Sequence, residues 1–220
     1  MHVTAKPKPY LTDDFIGTDE GCGIFIPANR LLYEFVRANP SNIEKSQIAS
    51  KALIIGRSLA ASVERRTISD DDAGSSGHFY SVLAESISNS MVGELLALLP
   101  AEERLSQSTI TAVVKVHARL CDAVFEVTKK DSSSFASKYL HFHYPHLFPM
   151  MDLRARTALS WVANEEDWPF AYTTARQSIN YENYVRFYLR VQEFFERELG
   201  KPVSLRQMDN VLLNRYDCNV

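Results

Sequence analysis

The chain has 220 residues, a formal charge of −3, 45% hydrophobic residues and 23% charged residues. That is the composition of an ordinary globular protein that can bury a sizeable core without staples. It excludes a wholesale basic nucleic-acid binder but leaves room for a local basic patch. Cys22, Cys121 and Cys218 lie far apart with no CxxC spacing, which argues for reduced thiols rather than a disulfide scaffold or zinc knuckle.

The opening MHVTAKPKPYLTDDF has no apolar h-region, so no signal peptide is expected, and no run in the chain approaches the roughly 18 apolar residues of a membrane span. A cytoplasmic protein follows as the expectation. Residues 1–26 read as an irregular lead-in, and residues 27–220 as one helical domain. Pro27 suits a first helical turn, and Leu31, Leu32, Phe35 and Val36 share a face after it. Pro40 ends that helix. Ser41 and Glu44 have the spacing of a capping box, opening a helix expected to reach about Arg66 on a stripe of Ile48, Ala52, Ile55, Leu59 and Val63.

ISDDDAGSSG, residues 68–77, reads as a loop. One helix is expected from about 78 to 99, stopped by Pro100, and another from about 109 to 130 on Ile110, Val113, Val116, Leu120 and Val124. A short helix should begin near Ser133, and Pro145 and Pro149 should break the chain before a helix from about 152 to 163. A looser segment then leads to NYENYVRFYLRVQEFFEREL, residues 180–199, a strongly amphipathic helix closed by Gly200 and Pro202. Ser204 opens a last helix with Leu205, Met208, Leu212 and Leu213 inward. No alternating strand pattern, repeat or heptad run occurs, so the fold class is all-α.

Residues 135–156, FASKYLHFHYPHLFPMMDLRAR, concentrate the chemistry. Lys138 follows a run of small residues near a helix start. A desolvated lysine amine is a nucleophile, although an isolated lysine is more often a solvated one. Asp152 sits where a helix N-cap is expected, which would hold its carboxylate ionised and in place. His141 and His143, two apart, point about 200° from each other on a helix, and neither a carboxylate nor a cysteine accompanies His143 and His146. No metal is expected, and either His141 or His143 is a candidate for hydrogen bonding or proton transfer in a pocket. Arg154 and Arg156 are candidates for pairing with phosphate or with acids.

The segments Phe135-Ala136-Ser137-Lys138-Tyr139-Leu140 and Phe148-Pro149-Met150-Met151-Asp152 resemble the helix-hairpin-helix DNA glycosylase superfamily, in particular its 8-oxoguanine DNA glycosylase branch. Leu205–Leu213 is similar to the aspartate–x–x–leucine terminal helix of many relatives, and the likeness extends to compact bacterial proteins encoded beside antiphage systems. The resemblance implies a two-lobed helical fold around a cleft, with one lobe of about 27–105 plus the C-terminus and the other of about 108–180. It implies Lys138 as nucleophile on a sugar C1′ and Asp152 as the group stabilising the cationic sugar. It also implies a flipped, oxidised purine as the target, lyase chemistry on the resulting imine, and no cofactor. DNA or a nucleotide is the implied partner. Phe142, Tyr144 and Trp161 are candidates for stacking on the flipped base. Ser132, Ser133 and Ser134 stand where the family has a glycine-rich, phosphate-holding hairpin; this turn, Asp131 to Ala136, has no glycine. The competing expectation is a non-catalytic helical module that binds nucleic acid or a protein.

Overall fold

The computed structural model describes residues 12, 16–61, 63–64, 76–99, 104–165 and 181–217, and these are helical with no strand among them. The helices are α1 (Phe25–Ala38), α2 (Lys45–Ser58), α3 (Ser76–Asn89), α4 (Val92–Ala97), α5 (Ile110–Thr128), α6 (Ser133–His143), α7 (Leu153–Glu165), α8 (Tyr181–Leu199) and α9 (Leu205–Asp217). The protein is therefore all-α, as the periodicity predicts. Residues 65–75, Pro100, the segment 166–180 and Cys218, all named in the sequence reading, lie outside the described residues.

The helices start and stop for identifiable reasons, several of which differ from the sequence reading. Pro27 is the third residue of α1 and so lies in its first turn, as expected; it is tolerated because the first turn has no intrahelical partners for its N–H groups. Ser41 does not cap the helix, whose N-cap is Glu44 without a side-chain cap bond; its Oγ accepts the Glu44 N–H at 2.8 Å in the turn before it, and Gln47 Oε1 accepts the Ser41 N–H at 3.0 Å. α2 stops at Ser58, well short of Arg66. Ala60 there takes a left-handed conformation with φ of 52°, and the Ala61 N–H reaches back to the Gly56 carbonyl at 2.9 Å, the bond that closes a Schellman motif. The helix expected over 78–99 is two helices, because Met91 is left-handed at φ 62° and turns the chain between α3 and α4.

α6 is the centre of the molecule. Every residue from Phe135 to Phe142 is buried, and the helix packs against α1, α2 and α5. A helix buried all round in this way must carry its polar side chains into the interior, where each needs a partner. α7 packs against α8 and α9, and α8 also against α5. Among the described residues no helix is long and apolar enough to cross a membrane.

Candidate functional site

Lys138 is the sixth residue of α6 and only 7% exposed. Its Nζ donates to Asp152 Oδ2 at 3.0 Å and to the Leu59 carbonyl at 3.0 Å. The Leu59 carbonyl is one of the acceptors that a helix C-terminus leaves unpaired, and the negative end of the α2 dipole favours a cation there. The early stop of α2 thus creates half of the lysine's environment.

Asp152 supplies the other half. It is the residue before α7, and its Oδ1 accepts the Ala155 N–H at 2.9 Å, so it is the N-cap that the spacing predicts. Burial alone would raise its pKa. The Lys138 ammonium and the Ala155 N–H, with a smaller pull from Arg154, outweigh that and hold the carboxyl below the usual carboxylate range.

The stretch Phe148–Met151 that delivers Asp152 is buried and non-helical. Buried backbone outside a ladder needs side-chain partners. His141 Nδ1 donates to the Phe148 carbonyl at 2.9 Å, Tyr181 to Pro149 at 2.9 Å and Tyr184 to Met150 at 2.5 Å. The Met151 N–H donates to Ser137 Oγ at 2.9 Å. Ser137 immediately precedes the lysine, so α6 itself fixes the register in which Asp152 meets Lys138.

The other residues singled out by sequence do not converge on this pair. His141 is fully buried; Nδ1 donates to Phe148, so Nε2 accepts from the Tyr33 hydroxyl at 2.7 Å, and burial holds the ring neutral with a pKa down at about 3. His143 donates from Nε2 to Asn42 Oδ1 at 2.9 Å and is likewise pushed down to about 3 by burial and the nearby Lys51. Phe142 packs on Tyr33 with ring centroids 4.6 Å apart, Tyr144 donates to the Leu96 carbonyl at 2.9 Å, and Trp161 stacks on Tyr216 at 5.7 Å. Arg154 lies 3.9 Å from Asp217, and the Nε of Arg156 is buried without a partner.

At the turn before α6, Asp131 Oδ1 accepts both the Ser133 N–H at 2.8 Å and the Ser133 hydroxyl at 2.6 Å. Ser132 is buried and donates to the Lys130 carbonyl at 3.3 Å, while the Ser134 carbonyl accepts the Ser137 hydroxyl at 3.0 Å. Among the described residues no group of three His, Cys, Asp or Glu side chains is placed to hold a metal ion.

Two features escaped the sequence reading as site components. Asp209, on α9, is buried and paired with Arg206 at 3.1 Å; burial pushes it up to about 6 against the pull of Arg206, and the Asp152 charge adds to the rise. Its position in the terminal helix motif was the available signal. Lys51, on α2, is completely buried and bonds the Ser41 carbonyl at 2.6 Å and Asn42 Oδ1 at 3.2 Å. It shares a helix face with Ile48 and Ile55, a placement that a stripe of apolar residues conceals.

No family model, no curated protein and no solved structure matches the chain.

Proposed function

We propose that the chain is a helix-hairpin-helix type DNA glycosylase that cleaves the N-glycosidic bond of a flipped, oxidised purine. In this reading the helices form two lobes around a cleft, and Lys138 and Asp152 stand at its mouth. The observation that carries the reading is the 3.0 Å contact between the Lys138 amine and the Asp152 carboxylate, both largely shielded from water. Lys138 spans the two lobes, since Leu59 belongs to one and Asp152 to the other.

The ammonium gives up one proton, and its lone pair forms the Nζ–C1′ bond as the C1′–N bond breaks. The base leaves with that electron pair and takes a proton. The ionised Asp152 stabilises the positive charge that develops at C1′ and holds the amine toward it. After ring opening, the imine at C1′ permits elimination of the 3′ phosphate.

Borohydride reduction traps such an imine. Incubating the chain with single- and double-stranded oligonucleotides containing 8-oxoguanine should yield a covalent protein–DNA adduct that Lys138→Gln abolishes. Asp152→Asn should slow its formation by about 10²–10³, the worth of one preorganised electrostatic contact. No adduct on any of these substrates would overturn the enzyme reading.

A second reading, a non-catalytic nucleic-acid- or protein-binding module, is favoured by one observation. The Ser133 N–H and hydroxyl, which a phosphate would need, are already taken by Asp131. Here Lys138 is a clamp from the end of α2 to the start of α7. DNA retention in a gel shift without any borohydride adduct would select it.

A further inference from the structure

Leu59, just past the end of α2, meets Lys138 at the middle of α6, whereas Lys51, about two turns earlier in α2, faces Tyr139 and lies beside the Asn42 that His143 bonds at the end of α6. His143 is five residues beyond Lys138, about 8 Å along the helix. A second polar cluster therefore lies along the same helix–helix contact, from Tyr139 to the end of α6.

Its hub is Asn42 Oδ1, which accepts from the Tyr139 hydroxyl at 2.8 Å, His143 Nε2 at 2.9 Å and Lys51 Nζ at 3.2 Å. Lys51 is fully buried, and its hydrogen-bond acceptors are a carbonyl and an amide, both neutral. Among the described residues the titratable groups facing it are Tyr139 and His143, whose pKa values burial shifts so that both stay uncharged at neutral pH. A buried ammonium without a counter-charge costs several kcal/mol to maintain.

A cavity of about 360 Å³ lies against this cluster, with Asn42 and His143 in its wall and Ser41, the other acceptor of Lys51, beside them. Val36, Leu96 and Phe142 give it an apolar lining, Arg37 also lines it, and among the described residues no Asp or Glu borders it. The size and the mixture of apolar wall with a few polar groups suit a small ligand. The local excess of positive charge selects its sign.

We propose that this cavity binds a small organic anion, an apolar body carrying one carboxylate, with Arg37 in the wall and Lys51 behind Ser41 and Asn42 as the counter-charges, and Val36, Leu96 and Phe142 around the body. The site is separate from Lys138 and Asp152.

Benzoate and its neutral analogue benzamide test this, each titrated into the full chain and followed by protein NMR shifts. Benzoate should bind at least about tenfold more tightly than benzamide, Lys51→Met should narrow that gap, and Lys51→Met combined with Arg37→Gln should bring the two level. Should Lys51→Met fail to fold, the wild-type chain still decides. Benzoate affinity should fall steeply from about pH 6 to about pH 9 as the amine loses its proton, while benzamide affinity stays flat. Equal affinities for the two probes, a benzoate preference unchanged in Lys51→Met, or a pH-independent benzoate affinity would overturn the proposal.

Discussion

Lys138 and Asp152 make a buried ion pair, and such pairs are more costly to break than they are worth to have. Asp152→Asn should leave the ammonium with neutral acceptors and no counter-charge and cost about 3–5 kcal/mol, read as a lower urea midpoint at neutral pH. Because the folded-state pKa of Asp152 lies below its unfolded value, its stabilising contribution is complete above the ordinary carboxylate range and is lost as pH falls through the lowered value. Lys51 has the opposite linkage. Desolvation lowers its folded pKa to about 7, while the unfolded chain keeps that proton to about 10.4. The unfolded state then binds more protons between those limits, so stability should rise as pH climbs from about 7 toward about 10. Urea unfolding across that range checks it, and Lys51→Met should flatten the rise. A slope unchanged in Lys51→Met would show that the lysine is not its source.

Short backbone devices control where the helices end, and those ends build the site. Ala60 in the left-handed region closes α2 and presents the Leu59 carbonyl to Lys138. Met91, left-handed and 57% exposed, separates α3 from α4. Glycine takes this conformation without the roughly 1–2 kcal/mol that a side chain costs there. Met91→Gly should therefore raise stability by about 0.5–1 kcal/mol after the entropy it adds to the unfolded chain, seen as a higher melting temperature. A lower one would mean that the methionine packs better than its exposure implies. Gly93 is needed for a different reason, a close approach: a Cβ at that position would lie 3.0 Å from the Asn42 carbonyl oxygen, so α4 can sit against the loop that carries the Lys51 cluster.

At the scale of the molecule, the C-terminal helix holds the start of the described chain. Asn210, 1% exposed on α9, donates through Nδ2 to the carbonyls of Ile16 at 2.9 Å and Thr18 at 3.1 Å. A Cβ at Gly21 would come within 2.6 Å of Asn29 Nδ2 on α1 and 3.3 Å of the Arg206 guanidinium on α9, so this segment lies against both helices. Asn210→Ala should take this partner from the buried Ile16 carbonyl, at about 1–3 kcal/mol before any relaxation, whereas the exposed Thr18 carbonyl keeps the Gly21 N–H at 3.0 Å. Hydrogen exchange should report it as faster exchange over residues 16–24 than in α6. Equal protection of that segment in the variant would mean that other contacts hold it.

Helix existence was legible from the chain alone, because apolar residues at a 3.6 spacing need no knowledge of the rest of the fold. So was the capping place of Asp152, since an acid after Pro149 and before a periodic run is a local signal. The stop of α2 at Ser58 and the break at Met91 were not legible: Ala60 and Met91 carry side chains that disfavour the left-handed conformation, and tertiary packing imposes it on them. Sequence also could not show that His141, Tyr181 and Tyr184 bind the backbone before Asp152, that Leu59 lends Lys138 its carbonyl, or that Lys51 is interior. Periodicity tells which residues of one helix share a face. Which face meets which is decided by hydrogen bonds between residues tens of positions apart, and those exist only once the helices have packed.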